Sequence, residues 1–158
     1  MKDDFLLDIE YQGITARLKR LSDSMFYSIR ELYAEKKLEI EPNWHLIFML
    51  LKENKVSTIT EIAKVMKLSQ PATIKMVEKM KQKGFIDIVT DNRDRRRKLL
   101  QLSEKALKEL PEFEKVWLAG KKAMIEMLAE NQEFLSSLKK FEEQNKQMSF
   151  KKRMLEFL

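Results

Sequence analysis

Residues Thr58 to Leu102 read TITEIAKVMKLSQPATIKMVEKMKQKGFIDIVTDNRDRRRKLLQL. The stretch opens on a capping box. In Thr58-Ile59-Thr60-Glu61 the Thr58 hydroxyl can accept from the backbone N–H at 61, and the Glu61 carboxylate can reach back to the N–H at 58. This predicts a short helix with Ile62, Ala63, Val65 and Met66 inward. Ser69 offers a second N-cap, and Pro71 fits the first turn of another helix, where its missing N–H would be unpaired anyway. That helix carries Met76, Val77 and Met80 inward and ends at Gly84, a residue suited to the left-handed conformation that closes helices. Two helices joined by a turn around Lys67-Leu68 make a helix-turn-helix candidate, although any helical hairpin would share the pattern. The residues beyond Gly84 are more specific. Phe85 to Thr90 is β-branched and partly alternating, as in a strand, and Leu99 to Leu102 supplies the return. The connection Asp91 to Lys98 is too long for a two-residue turn and carries Arg93, Arg95, Arg96 and Arg97. A helix-turn-helix joined directly to a hairpin with a basic tip is the layout of a winged helix. Its second helix can enter a major groove, and its tip can reach the backbone or an adjacent minor groove.

Working outward, Ile14, Leu18, Leu21, Met25, Ile29 and Leu32 recur at spacings of four and three and predict one long amphipathic helix, closed by Tyr33 to Lys37. Such a helix needs a partner surface, from its own chain or a second copy. Glu41-Pro42 opens a helix through Trp44, Ile47, Phe48, Leu50 and Leu51, apolar on most sides and therefore central. His45 on it reads as a structural residue. On the other flank, Ser103 caps a long helix with Leu107, Leu110, Trp117, Met124, Met127 and Leu128 on its apolar side, and Pro111 predicts a kink or a restart. Asn131 caps a further helix with Phe134, Leu135, Leu138 and Phe141. The tail from Ser149 to Leu158 is basic and apolar together, fit either to dock on a partner subunit or to meet DNA backbone. The expected fold is mostly α with a small β-hairpin wing. The helices at 1–40 and 104–158 would flank a winged domain at 41–103.

Composition excludes several functions. The 158 residues hold no cysteine and one histidine, so disulfides, thiol redox chemistry, a thiolate zinc site and a cysteine nucleophile are ruled out, and a histidine-rich metal site is hard to build. No Gly-rich phosphate loop or nucleophile–base pair is visible, so neither an enzyme nor a cofactor is expected. The longest uncharged run, Pro42 to Leu51, is half the length of a bilayer span, and the start Met1-Lys2-Asp3-Asp4-Phe5 lacks the apolar stretch of a signal peptide. A cytoplasmic protein without a membrane segment is the expectation. Charge is more telling. The chain has 31 Lys/Arg and 25 Asp/Glu; Val56 to Leu102 holds 11 and 5 of these, leaving 20 of each elsewhere. The whole excess of +6 lies in the central segment. Such a patch favours a polyanion, because phosphate neutralisation releases counterions.

In these features the chain resembles the MarR (multiple antibiotic resistance regulator) family. The likeness rests on Thr58 to Ala63, on Leu68-Ser69-Gln70-Pro71-Ala72-Thr73, on Met80 to Ile86, and on Asp91-Asn92-Arg93-Asp94-Arg95-Arg96 running into Leu102-Ser103-Glu104-Lys105. It covers about Trp44 to Lys105, and the wing pattern is its most specific part. Two positions depart from the family pattern: Thr73-Ile74, where an apolar residue followed by Thr is common, and Ala106, where Gly is frequent. The resemblance implies a homodimer with interleaved terminal helices, bound to a pseudo-palindromic operator in double-stranded DNA. It further implies a transcriptional regulator, most simply a repressor released by a small aromatic or amphipathic effector. Ser69, Gln70, Ala72, Thr73 and Lys75 would then face the major groove, with Ala72 and Thr73 equally suited to inward packing. Lys75, Lys79 and Lys81 would touch phosphate, Arg93, Arg95, Arg96 and Arg97 would form the wing contact, and Asp94 could pair with Arg96. Met25, Trp44, Phe48 and Trp117 would line an effector cleft unless they simply fill the core. The rival reading is a winged-helix module that binds protein or RNA, since fold does not fix function.

Overall fold

The computed structural model describes residues 4–90, 94, 97–129 and 131–158. The chain forms two compact units, Met1–Phe113 and Glu114–Leu158.

The first unit begins with a one-turn helix, α1 (Phe5–Asp8), capped by Asp4, whose carboxylate accepts the Leu6 N–H at 3.1 Å. A 3-10 turn at Glu10–Gly13 leads into the long helix α2 (Ile14–Glu35). The turn is tight: a Cβ on Gly13 would stand 2.3 Å from the Leu6 carbonyl oxygen. Helix α3 (His45–Asn54) follows a 3-10 turn begun by Pro42, and the His45 Nδ1–H donates to the Pro42 carbonyl at 2.8 Å, the structural role expected.

Helix α4 (Ile59–Met66) starts on the predicted capping box, with both hydrogen bonds formed. It ends with the Leu68 N–H on the Ala63 carbonyl and the Lys67 N–H on that of Lys64, the pairing of a Schellman motif. Lys67 holds the left-handed position of that motif at φ 53°. Helix α5 (Gln70–Gln82) is capped by the Ser69 hydroxyl and closes with the same pairing around Gly84, at φ 77°. Strands β1 (Ile86–Thr90) and β2 (Lys98–Leu102) pair antiparallel, from Ile86 opposite Leu102 to Thr90 opposite Lys98. Ser57 adds a single bridge to β2: its N–H donates to the Leu100 carbonyl at 3.0 Å and its carbonyl accepts the Leu100 N–H at 2.8 Å. Helix α6 (Glu104–Met127) contributes residues 104–113 to this unit. Ser103 ties it down: the hydroxyl donates to the Gly84 carbonyl at 2.6 Å and accepts the Ala106 N–H at 3.0 Å.

The core is aromatic at its centre. Phe48, Phe85 and Phe113 meet one another edge to face at centroid distances of 5.5, 5.4 and 5.7 Å, the arrangement that ring quadrupoles favour. Trp44 joins through Phe85, and Ile47, Leu51, Ile62, Met80 and Leu100 fill in around them, all buried.

One expectation fails: Val65 is 60% exposed. At 100° per residue, Ile59, Ile62, Ala63 and Met66 share one arc of so short a helix, and Val65 falls outside it. At Pro111, where a kink or a restart was expected, the restart does not occur, and α6 runs through it without a break. Pro111 and Leu107, whose carbonyl loses its donor, both lie on the exposed side, where water can replace the missing N–H.

The second unit contains residues 114–127 of α6, then α7 (Gln132–Gln147) and α8 (Phe150–Leu155). Asn131 caps α7 as expected, accepting from the N–H groups of Glu133 and Phe134. The predicted basic tail is helical, with Ser149 as its cap. No residue of α7 or α8 is buried, and Leu118, Met127, Leu135, Phe141 and Phe150 are all exposed.

Candidate nucleic-acid interface

Helix α5 presents Ser69, Gln70, Ala72, Lys75 and Lys79 on its exposed side, with Lys81 further along. The Ser69 hydroxyl is engaged with the Ala72 N–H at 3.3 Å, and Gln70 Nε2 donates to Thr60 Oγ1 at 3.2 Å, holding the glutamine beside the first turn of α4. Thr73 is the exception among the expected contact residues. It is fully buried, and its hydroxyl donates to the Ser69 carbonyl at 3.1 Å, so its side chain packs inward. Ile74, the position at which the sequence departs from the family pattern, is 38% exposed.

Of the wing arginines, Arg93, Arg95 and Arg96 lie outside the described residues, as does the expected Asp94–Arg96 pair. Arg97 is described, and its guanidinium donates to Glu61 Oε1 at 2.6 Å. The other Glu61 oxygen accepts the Thr58 N–H at 2.7 Å. That backbone donor, with Arg97 in support, holds the Glu61 carboxyl below the usual glutamate range. At the root of the hairpin, Lys98 Nζ donates to Thr90 Oγ1 at 3.4 Å. On the same unit, Glu39 accepts from Lys83 Nζ at 3.1 Å and Lys105 Nζ at 3.4 Å, and both lysines draw its carboxyl below the ordinary range. Lys105 also sits 4.4 Å from the centroid of Phe85, a cation–π contact.

An open cleft of about 270 Å³ lies among Arg30, Glu41, Asn43, Trp44, Ala72, Lys75, Met76 and Lys79. An ion pair of 3.2 Å between Arg30 and Glu41 spans part of it. Of the four residues expected around an effector, only Trp44 lines this cleft. Phe48 is sealed in the aromatic core, Met25 is half-buried on α2, and Trp117 is half-buried in the second unit. Sequence reasoning missed Arg30, Glu41, Asn43 and Met76, which come from α2, from the 3-10 turn before α3 with its cap, and from α5, and share no periodic pattern. It also missed Glu61 as a partner of the wing; its capping role was visible, its reach to Arg97 was not. Among the described residues, no cluster of three His, Asp or Glu side chains is placed to hold a metal ion, and no helix is long and apolar enough to cross a membrane.

The sequence model of the MarR family matches residues 38–97. No curated protein matches the chain at a significant level. Among solved structures, the chain is similar to MepR of S. aureus, determined as a complex with DNA, at a TM-score of 0.73 and 18% identity over 83% of this chain and 96% of that one. A MarR/EmrR family transcriptional regulator from Acinetobacter sp. ADP1 gives 0.73 and 20% identity over 87% and 97%. A MarR variant from E. coli, crystallised with operator DNA, gives 0.64 and 17% over 90% and 98%. These likenesses establish a mostly helical fold with a small antiparallel wing and long flanking helices. The MarR-family match thus rests on the winged helix-turn-helix of residues 38–97, and the chain shares its fold with these structures.

Proposed function

We propose that this protein is a dimeric, sequence-specific regulator of transcription, acting in the cytoplasm as a repressor that a small molecule releases. The observation that carries the reading is the coincidence of charge and form. The entire net charge of +6 falls between Val56 and Leu102, and that segment folds into an exposed capped helix beside an arginine-rich hairpin. In this reading residues 41–103 bind double-stranded DNA. Gln70 and Ser69 are suited to base edges, Lys75, Lys79 and Lys81 to phosphate, and Arg93, Arg95 and Arg96 to the minor groove. The segments 1–40 and 104–158 pair with a second copy. Exposed apolar side chains support this pairing: Leu18, Leu21 and Tyr27 on α2, and Leu135 and Phe141 on α7, which water would otherwise cover. Two of the three similar structures named above are complexes with DNA, one of them with an operator.

The cleft beside α5 is the candidate effector site. Arg30, Lys75 and Lys79 on its wall favour an acidic group, while Trp44 is only 3% exposed and shows the cleft little surface. Because Lys75 and Lys79 also belong to the proposed phosphate contacts, an anion held there competes with DNA for the same charges.

Fluorescence anisotropy tests the reading with a duplex enriched by the protein from a random pool. The slope of log affinity against log salt falls by about 0.9 for each phosphate no longer neutralised, so by about 2 per dimer for Lys79→Ala. Arg93→Ala and Arg95→Ala weaken binding while leaving the dimer folded. Failure to enrich any duplex over random competitor at moderate salt rejects the reading in favour of a winged module for protein or RNA.

A further inference from the structure

The hairpin is fastened to the start of α4 at two points. The first is the backbone bridge between Ser57 and Leu100. The second is the contact between Arg97, one residue before β2, and Glu61, 36 positions earlier in the chain. Glu61 is fixed before the arginine reaches it: one carboxylate oxygen accepts the Thr58 N–H, and its own N–H donates to the Thr58 hydroxyl at 3.2 Å. Little further rotamer entropy is lost on the carboxylate side when Arg97 binds. Arg97 is held through its main chain as well, its N–H donating to the Asp94 carbonyl at 2.9 Å. β2 is paired to β1 along its length and buried at Leu100 and Leu102, and the bridge at Leu100 secures this inner part to Ser57, just ahead of α4. The Arg97 contact adds a second attachment just before the strand begins, on the side from which the chain arrives from the arginine-rich segment.

We infer that the Glu61–Arg97 ion pair is a positioning clamp for the wing: it fixes the start of β2 against α4, and Arg97 supports DNA binding through that placement rather than by touching phosphate. The inference rests on the DNA-binding reading above, and it revises the expectation that Arg97 is one of the contacting arginines.

Glu61→Gln is the informative variant. The amide oxygen still accepts the Thr58 N–H, so the capping box survives, while the negative charge that holds Arg97 is removed. In the free protein, the clamp predicts faster amide hydrogen exchange in peptides from 86–102 for Glu61→Gln and for Arg97→Ala alike. With the enriched duplex, each variant weakens binding about three- to tenfold, and the double variant is no weaker than the weaker single one. The salt slope of Glu61→Gln stays at the wild-type value. If Arg97 instead contacts phosphate, Glu61→Gln frees it and raises the net charge, so binding tightens. Tighter binding by Glu61→Gln, additive losses in the double variant, or unchanged exchange each overturns the clamp. If no duplex is enriched, the DNA-binding reading falls, and the exchange measurement still decides whether the clamp holds the hairpin.

Discussion

Replacing Gly84 by alanine isolates the backbone cost of the turn that joins α5 to the wing. Gly84 sits at φ 77°, a conformation that costs an L-residue about 1–2 kcal/mol. Space is not the obstacle, since an added Cβ would meet only the Lys105 Cδ, at an ordinary 3.7 Å. Against the strain stands the loss of glycine's freedom in the unfolded chain, which favours the variant by about 0.4–1 kcal/mol. The net expectation is a destabilisation of about 1 kcal/mol, or about 2–4 °C in Tm for a chain of this size. Urea denaturation at one fixed protein concentration measures it, because association would shift the midpoint if concentration varied. Lys67→Gly is the reciprocal control. Lys67 occupies the same place in the same motif at φ 53°, so glycine there relieves strain while adding unfolded freedom, and the change is neutral to slightly stabilising. If Gly84→Ala is as stable as wild type while Lys67→Gly is clearly weakened, backbone conformation does not set the cost at these two turns, and the reasoning fails.

Phe48→Ala, which empties the centre of the aromatic cluster, should cost about 3–5 kcal/mol in the same urea assay; a loss below about 1 kcal/mol would mean that the core collapses to fill the space. Gly13→Ala drives a methyl into the Leu6 carbonyl, so α1 should detach from its turn, seen as faster amide exchange over residues 5–12 while α2 keeps its protection. Glu39 bears on acid stability. Its folded pKa is lowered by Lys83 and Lys105, so its contribution is present above the unfolded value and is lost as pH falls from about 4.3 through the folded value. Glu39→Gln should therefore lower stability at neutral pH and flatten the acid limb of the pH profile in that window, and an unchanged limb would show that its lysines are too well solvated to matter.

The parts of the fold legible in the sequence are those fixed within a few residues. The Thr58–Glu61 box, the Ser69 and Asn131 caps, the Gly84 stop and the two strands all rest on local hydrogen-bonding chemistry, and each stands where it was expected. Lys67 and Lys37 show the limit of that logic. Both hold left-handed helix-ending positions that the sequence would sooner give to glycine, and neither residue type signals such a role. Long-range pairings were not legible. Ser57 meets Leu100 through backbone alone, which any residue could supply. By residue type Arg97 is one more cation in a basic tip, and only the fold brings Glu61 to 2.6 Å from it. Thr73 was open to either face by type, and the helix-helix packing that buries it is set by neighbours distant in sequence.

The Ser103 side chain has a mechanical consequence. A hydroxyl offers one proton and two lone pairs, and here the same oxygen grips the chain just beyond α5 and the opening turn of α6. It acts as a rivet, passing a twist of the first turn of α6 to the end of α5 through a single atom. Alanine at this position would let the two ends slip independently, turning a stiff linkage into a slack one.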